Sequence, residues 1–485
     1  MASQLKHEVA RGAQWTLGEK VATALVQFAV RVLILRLLLP DDLKVIAILL
    51  ALSSFALVVV DSGFSQMLVR MKSPTERDLK SVFAFNLITS WVVYALLVVA
   101  TPWLADFYRM PVLREVAWVF FLMIPCNAMG VIQLTLLTRT FRFALISKLT
   151  FLAQLISGVV AIVMAYTGLG VWALVWQQVL MMALRSLFVW WYSGWRGEGS
   201  GSFESLRRMA PYSMSLLATD LITALYNKVP QLLLGRIYLD ATLAYYDQAI
   251  KLKDLPVQSA MVSVQQVTFP ALAKIADEEQ KFAESFRQVV MMVAYLIFPV
   301  MVGMSAVSEA MFAVLLGEQW MPTVPLFEVV CLAGLFTPLA MMAYNVLKVK
   351  AQGGLIVRLE VMKKVAMTVL LVLSIPHSVE AVVWALVASA AFDMVVNFAA
   401  ALPLARLSVG RVVRTLLPIA AVSGVMWLAV QMVSRWIGDP SWWGLLLEIG
   451  TGAAVYLLLS LACRLEAWQE LLSLARQQLK KGASA

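Results

Sequence analysis

Long apolar stretches repeat along almost the whole of this chain. Roughly fourteen of them lie between residues 13 and 463, and most are separated by short loops. An α-helix of about 20 apolar residues crosses the ~30 Å hydrocarbon layer of a bilayer. Because 61% of the 485 residues are hydrophobic and only 14% are charged, a soluble fold could not hide this much apolar surface from water. The sequence therefore predicts an all-α polytopic membrane protein with about 14 transmembrane helices. The predicted spans are residues 13–38, 43–69, 80–102, 112–138, 146–167, 169–193, 211–236, 245–275, 286–308, 323–347, 357–376, 379–403, 412–433 and 441–463.

The charges in the loops alternate along the chain. Every second loop is rich in lysine and arginine, and the loops between them are acidic or neutral. Because Lys and Arg concentrate on the cytoplasmic side of membrane proteins, this alternation predicts an even number of helices with both termini in the cytoplasm. The basic loops contain, among others, Arg70, Lys80, Arg139, Lys148, Lys274, Arg287, Arg406 and Lys481, and the intervening loops contain Asp41, Asp106, Asp240, Glu380 and Asp439.

Several classes of function are excluded by composition. The net charge of +10 is spread over separate loops rather than gathered on one face, so we expect no nucleic-acid partner. The three cysteines and two histidines lack the spacing of a metal site, and no phosphate-binding glycine loop is present, so we expect no cofactor or metal. No loop exceeds about 22 residues, which leaves no room for a catalytic domain. We expect a protein that works inside the membrane and is not an enzyme.

A local change in composition indicates how the chain divides into domains. The Gly- and Ser-rich segment from Gly194 to Ser205 reads as a linker between two six-helix lobes. A shift of the chain by 200 residues aligns Leu35-Arg36-Leu37 with Gly235-Arg236-Ile237, which weakly supports a repeat. The predicted domains are residues 1–195, residues 196–405, and residues 406–485 with two further helices and a cytoplasmic tail.

Polar side chains form stripes on four of the predicted spans. A charged side chain in the middle of a membrane costs at least a few kcal/mol, so such residues should face protein or water. Spacings of three and four place each set on one helix face, and these faces predict a central hydrated cavity of basic character. The stripes are Thr16, Lys20, Thr23, Gln27 and Arg31; Ser54, Asp61 and Ser65; Asp220, Thr223, Asn227 and Gln231 with Lys228 beside them; and Lys251, Asp254, Gln258 and Gln265.

These charged side chains could also have structural roles. Lys20 could pair with Glu19 or reach the interface, and Arg36 lies close enough to the outer end of its span to do the same. Arg31 and Lys251 lie deeper, which favours a role in the cavity. Asp61, Asp220 and Asp254 could bind a coupling ion or pair with Arg and Lys.

At the edges of the predicted spans, six short strings resemble those of a known family. From Gly12 to about Arg414 the chain resembles the polysaccharide transporter branch, of the colanic-acid flippase type, of the multidrug/oligosaccharidyl-lipid/polysaccharide (MOP) exporter superfamily. The strings are Gly12-Ala13-Gln14-Trp15, Asp61-Ser62-Gly63-Phe64, Arg139-Thr140-Phe141-Arg142-Phe143, Gly168-Leu169-Gly170-Val171-Trp172, Phe269-Pro270-Ala271-Leu272 and Leu316-Gly317-Glu318-Gln319-Trp320.

The resemblance implies a fold and a function. The fold is two six-helix lobes in a V shape plus two C-terminal helices. The function is alternating-access transfer of an undecaprenyl-pyrophosphate-linked oligosaccharide across the bacterial inner membrane, for exopolysaccharide, O-antigen or capsule synthesis. The implied partners are this lipid-linked oligosaccharide, the bilayer, and polysaccharide polymerase and export machinery.

By position, Arg36, Asp61 and Lys251 match polar positions of the family, whereas Arg31 matches none. Lys44 stands where the family usually has Gly, and Pro230 where it often has an acid. The predicted substrate cavity contains Lys20, Gln27, Arg31, Arg36, Asn227, Lys228, Lys251 and Gln258, and the predicted ion-coupling residues are Asp61, Asp220 and Asp254.

Four alternatives come from other functional classes. A lipid II flippase shares the superfamily, but the strings follow the polysaccharide branch. A multidrug or organic-cation antiporter favours an acidic cavity, and the cavity predicted here is basic. A polymerase or sugar ligase usually needs a large periplasmic loop, and the longest outside loop here has about 14 residues. A scaffold would not need polar stripes inside the membrane.

Overall fold

The computed structural model describes residues 28–71, 73–140, 142–197, 201–238, 241–351 and 353–472, and throughout these ranges the regular structure is helical. The chain runs through α1 (28–37), α2 (Pro40–Asp61), α3 (Phe64–Arg70), α4 (Glu76–Tyr108), α5 (Val112–Phe120), α6 (Met123–Arg139), α7 (Phe143–Tyr166), α8 (Val171–Ser193), α9 (Phe203–Ile237) and α10 (Thr242–Lys274). It continues through α11 (Glu279–Ala306), α12 (Ser308–Met311), α13 (Thr323–Lys350), α14 (Gly353–Ser374), α15 (Val379–Leu404), α16 (Val409–Ile437), α17 (Trp442–Ala462) and α18 (466–472).

Ten helical segments of the described chain are long and apolar enough to cross a membrane. They are α2, α4, α5 with α6, α7, α8, α11, α13, α15, α16 and α17. This confirms the prediction of an all-helical, multi-pass membrane protein. Three further helices, α9, α10 and α14, have 35, 33 and 22 residues but lack an equally apolar stretch. That these three and the first predicted span also cross the bilayer stays a prediction.

Local sequence explains where several helices begin and end. Thr75 and Asp78 form a capping box at the start of α4, with the Asp78 N–H donating to Thr75 Oγ1 at 3.2 Å and the Thr75 N–H to Asp78 Oδ2 at 3.1 Å. Pro40 occupies the first turn of α2, where its missing N–H costs nothing. Gly194 ends α8 with φ +74°, a left-handed conformation that favours glycine.

Residues 1–244 form the first of two compact units, whose described helices are α1 to α9. In it, α6 and α7 pack on α8, α4 packs on α5 and α6, and α9 packs along α2. The second unit contains residues 245–485. There, α13 packs on α11 and α15, α14 packs on α15, and α16 packs on α11 and α17. Each unit therefore buries its own helix faces, and the finer lobe boundaries predicted above stay predictions.

The core of the second unit is aromatic and rich in methionine. Phe286 and Phe398 lie with ring centroids 6.1 Å apart, and Met301 and Met342 are fully buried beside them. Tyr456 on α17 donates its hydroxyl to the Tyr295 carbonyl oxygen on α11 at 2.9 Å. This bond satisfies a hydroxyl that would otherwise be buried without a partner.

Candidate functional site

A break interrupts the helix that was predicted over residues 43–69. Helix α2 ends at Asp61, and α3 begins at Phe64. Between them, Ser62 and Gly63 take left-handed conformations with φ +45° and +71°. A Cβ at Gly63 would lie 2.8 Å from both the Ser213 carbonyl oxygen and the Leu216 Cβ of α9. Helix α9 thus packs directly on the break, and only glycine fits both the conformation and the close approach.

Two of the predicted ion-coupling residues meet at this break. The Ser65 hydroxyl donates to Asp61, and Gln66 Nε2 donates to Asp220 Oδ2 on α9 at 3.1 Å. Both acids are half-buried, and their carboxylates repel each other electrostatically. We call Asp61, Ser65, Gln66 and Asp220 the acidic cluster. Two nearby carboxylates can share one proton or one cation, because binding either relieves their repulsion.

The acidic cluster contains only two acids. In the part of the chain that the structure describes, no group of three or more His, Cys, Asp or Glu side chains is placed to hold a metal ion. Any ion at this cluster would need ligands beyond the two carboxylates, such as hydroxyl and carbonyl oxygens.

Farther along α9, the predicted cavity residue Lys228 and a second residue of the polar stripe, Gln231, form hydrogen bonds. Lys228 Nζ donates to Gln231 Oε1 at 3.3 Å, and Gln231 Nε2 donates to the Ala47 carbonyl oxygen of α2 at 3.1 Å. Gln231 is 5% exposed. The Gln231 amide therefore forms a hydrogen bond between two helices of the first unit. Lys228 is half-buried. The side chain of Asn227 lies outside the described residues.

On α10, ion pairs involve two of the predicted residues. Lys251 Nζ lies 2.5 Å from Asp247 Oδ2, with Asp247 8% and Lys251 34% exposed. Asp254 lies 2.6 Å from Lys253 Nζ. Gln258 is exposed one turn later. The partners Asp247 and Lys253 were not among the predicted site residues, although the four-residue spacing of Asp247 and Lys251 is itself a signal for a pair on one helix face.

Of the residues predicted on span 1, two are described. Arg31 is half-buried on α1, and Arg36 is exposed at its end. Lys20 and Gln27 lie outside the described residues. The prediction that these side chains and those of α9 and α10 line one cavity stays a prediction.

A second polar group in the second unit was missed by sequence reasoning. Lys363 on α14 is 7% exposed, and its Nζ lies 2.5 Å from Glu360 Oε1 and 3.2 Å from the Asn397 Oδ1 of α15. Asp393 lies on the same helix as Asn397, four residues earlier, and interacts electrostatically with Lys363. The available signal was four charged residues within residues 357–376, followed by an acid and an amide one helical turn apart in the next span.

Comparison with known proteins links the chain to polysaccharide synthesis. A family described as "Polysaccharide biosynthesis protein" matches residues 33–325. The chain is 23% identical over 350 residues to the teichuronic acid biosynthesis protein TuaB of Bacillus subtilis (strain 168), covering 72% of each chain. It is also 23% identical over 332 residues to the succinoglycan biosynthesis transport protein ExoT of Rhizobium meliloti (strain 1021), covering 68% of this chain and 67% of the relative.

Solved structures with the same fold are membrane transporters. The lipid II flippase MurJ, in an inward closed conformation, superposes with a TM-score of 0.70 at 15% identity, covering 92% of this chain and 98% of that chain. An inward-facing multidrug resistance MATE family transporter of the MOP superfamily gives a TM-score of 0.61 at 12% identity, covering 81% and 95%. At these identities the likeness shows a shared fold and nothing about the transported molecule.

Proposed function

The chain belongs to the polysaccharide biosynthesis protein family, and we propose on this basis that it is a flippase for undecaprenyl-pyrophosphate-linked oligosaccharides. It would move these repeat units across the bacterial inner membrane by alternating access, for exopolysaccharide, O-antigen or capsule synthesis. Membership in the family, together with the MOP transporter fold, confirms the resemblance predicted from the six sequence strings.

The polarity of α9 and α10 supports this proposal most directly. With 35 and 33 residues, both helices exceed the length needed to cross a bilayer. Yet Thr219 and Thr223 of α9 and Gln258 of α10 are exposed polar side chains on these helices. The hydroxyls of Thr219 and Thr223 donate to carbonyl oxygens of their own helix, so the exposed amide of Gln258 is the group that most needs water or a polar substrate. Hydroxyl and amide groups are suitable partners for the hydroxyl groups of sugars.

We assign the pyrophosphate of the substrate to the cationic side chains. Lys251 is one-third exposed and so can reach a phosphate, while Asp247 beside it is buried. Asp247 competes with the phosphate for the same ammonium, which keeps binding reversible, as transport requires. Arg31, Arg36, Lys228 and Lys20 are the further candidates, with Gln27 and Asn227 for the sugar. The polyprenyl chain stays in the surrounding lipid.

We assign ion coupling to the acidic cluster, with Asp254 as a separate candidate. Asp61 and Asp220 lie on different helices, and the neighbouring residues Ser65 and Gln66 of α3 donate one hydrogen bond to each. Loss or gain of a proton or cation there changes the repulsion between α2 and α9. Such a change can bias a helix packing that differs between two transport states.

The test is exposure of an undecaprenyl-pyrophosphate oligosaccharide on the outer leaflet of proteoliposomes. Wild type should expose the glycan to an impermeant probe, and Lys251→Ala should lower the initial rate about tenfold or more, because it removes a charge-assisted contact. Lys281→Ala is the matched control, since Lys281 forms an exposed pair with Glu278 and should leave the rate unchanged.

Two outcomes would contradict the proposal. Wild-type protein could move lipid II and leave other lipid-linked oligosaccharides in place, which would make it a lipid II flippase. It could instead export organic cations against a proton gradient and move no glycan, which would make it a cation antiporter of the same fold. If Lys251→Ala transports as wild type does, the flippase function stands and the role of Lys251 fails.

A further inference from the structure

A cavity of about 530 Å³ lies where four helix ends of the first unit meet. Its walls come from the start of α4, the end of α6, the start of α7, and the end of α8 with the loop that follows. Leu79, Leu136 and Leu137 form an apolar wall, and Arg142 and Arg196 supply positive charge. The volume is in the range of about 300–1,000 Å³ that is usual for small-ligand sites.

Donors on two arginines are available in this cavity. Arg142 is exposed, and its guanidinium makes no hydrogen bond or ion pair with any residue that the structure describes. Arg196 donates one Nη1 bond to the Trp190 carbonyl oxygen at 2.6 Å, which orients the guanidinium at the end of α8. The carboxylate of Glu76 accepts a bond from Trp195 Nε1 at 2.6 Å. The lining therefore carries a net charge of plus one.

Exposed aromatic residues lie close in sequence to residues that line the cavity. Phe143 follows Arg142 directly and is 53% exposed, and Trp191 and Tyr192, at the end of α8, are 75% and 55% exposed. Trp and Tyr side chains of membrane proteins concentrate at the level of the lipid headgroups. Because Phe143 adjoins Arg142 and Tyr192 lies four residues before Arg196, these aromatic residues indicate a cavity at the level of the bilayer interface.

We propose that this cavity binds the headgroup of an anionic phospholipid such as phosphatidylglycerol. Arg142 and Arg196 would donate to its phosphate, and the acyl chains would remain in the adjacent leaflet. A basic pocket between helix ends at the interface is the kind of site that recognises anionic headgroups. A phosphatidylcholine headgroup fits less well, because it is net neutral and gains nothing from the net positive charge of the lining.

The test is retention of phospholipid by the purified full-length protein in detergent, measured by native mass spectrometry. Phosphatidylglycerol and phosphatidylcholine with identical acyl chains are titrated separately, and inorganic phosphate is added as a competitor. Wild type should retain phosphatidylglycerol in preference to phosphatidylcholine, and phosphate should not displace it. Arg142→Gln and Arg196→Gln should each weaken retention about fivefold, and Arg142→Lys should keep most of it, because each basic residue near the surface contributes about that factor.

Arg77→Gln is the matched control. Arg77 is an exposed arginine one residue from Glu76, outside the cavity lining, so its loss removes the same charge at the same level. Equal thermal unfolding midpoints of all variants without added lipid show that the fold is intact. The proposal is overturned if both glutamine variants retain phosphatidylglycerol as wild type does, if phosphatidylcholine binds equally well, or if phosphate displaces the lipid. It is also overturned if Arg77→Gln weakens retention as much as Arg142→Gln.

Discussion

Gly63 allows α9 to approach the break between α2 and α3. An alanine there would have to keep φ +71° and place its Cβ 2.8 Å from the Ser213 carbonyl oxygen. We expect Gly63→Ala to destabilise the protein by about 1–3 kcal/mol, because a strained backbone position costs about this much and the clash adds to it. The measurement is the thermal unfolding midpoint of the purified protein in detergent.

Gly168→Ala is the matched control for that substitution. Gly168 also has a positive φ, +82°, but a Cβ there would meet nothing within 4 Å. Gly168→Ala should therefore lower the free energy of unfolding only by the cost of the left-handed backbone conformation, about 1–2 kcal/mol. Equal midpoints for the two variants would mean that α9 moves away from the break without cost.

The acidic cluster shows what sequence can reveal at this scale. Asp61 and Asp220 stand out in the sequence because a carboxylate in an apolar span is costly. The sequence does not show that these two acids lie close together, because the hydrogen bond from Gln66 to Asp220 joins residues 154 positions apart. It depends on the packing of α9 on Gly63, which is a tertiary contact. For the same reason Lys363 was missed, because only the fold shows that it is buried among acids and an amide.

Lys363 joins α14 to α15 through a buried polar group. If it is replaced by methionine, Glu360 and Asp393 lose the cation that lies between α14 and α15. Breaking a fully buried pair costs about 3–5 kcal/mol. Glu360 is 37% exposed and partly screened, so we expect a loss of about 1–3 kcal/mol for Lys363→Met. Thermal unfolding measures it.

Two further variants make this element-scale prediction specific. Arg358→Met removes an exposed cation from the same helix and should be close to neutral. The double variant Lys363→Met with Glu360→Gln should recover part of the loss, because it also removes one of the carboxylates left behind. If Arg358→Met destabilises as much as Lys363→Met, helix charge rather than the buried pairing governs stability.

Helix α18 is attached to α11 by an arginine. Arg287 Nη1 donates to Glu466 Oε2 at 2.8 Å, and Nη2 donates to the other carboxylate oxygen. These bonds from Arg287 lower the pKa of Glu466 below its ordinary value of 4.5. A lowered folded-state pKa means that the attachment is complete above about pH 4.5 and is lost as the pH falls through the folded-state pKa.

Hydrogen exchange of residues 466–472, corrected for the intrinsic rate at each pH, tests the attachment. Protection should be present near neutral pH and should fall in acid below pH 4.5. Glu466→Gln should lose protection at every pH, while Glu470→Gln, which removes the same charge from the same helix, should keep most of it. Protection that is unchanged in Glu466→Gln would show that apolar contacts alone hold α18.

Hydropathy predicted the helices well and their interruptions poorly. The span predicted at 379–403 is observed as Val379–Leu404, because apolar length alone determines such a segment. The span predicted at 43–69 is divided at Ser62 and Gly63, and that at 112–138 is divided at Phe121 and Leu122. Gly63 is a signal for the first break. Pro125 is a signal for the second, because it has no N–H to donate to the carbonyl oxygen of Phe121 four residues earlier. Hydropathy alone takes account of neither residue.

At the scale of the whole molecule, the number of membrane crossings depends on α14. Because of its charged residues, α14 lacks an apolar stretch as long as those of the ten spans. Two of these charges, Lys363 and Glu360, form an ion pair within the helix. Paired charges that face protein are tolerated inside a membrane. A short segment, residues 351–352, joins α13 to α14, and another, residues 375–378, joins α14 to α15. We therefore predict that α14 crosses the bilayer between the apolar spans α13 and α15, which pack together.

Cysteine labelling decides this count and the orientation together. Single cysteines are placed at the exposed positions Asp277, Glu380, Ser408 and Asp439, after replacement of Cys126, Cys331 and Cys463. In right-side-out vesicles an impermeant maleimide should label positions 380 and 439 at once, and positions 277 and 408 only after the membrane is opened, as the loop charges predict. Three long helices, α11, α13 and α14, separate positions 277 and 380. If α14 did not cross, those two positions would lie on the same side, and the even helix count with both termini in the cytoplasm would be wrong.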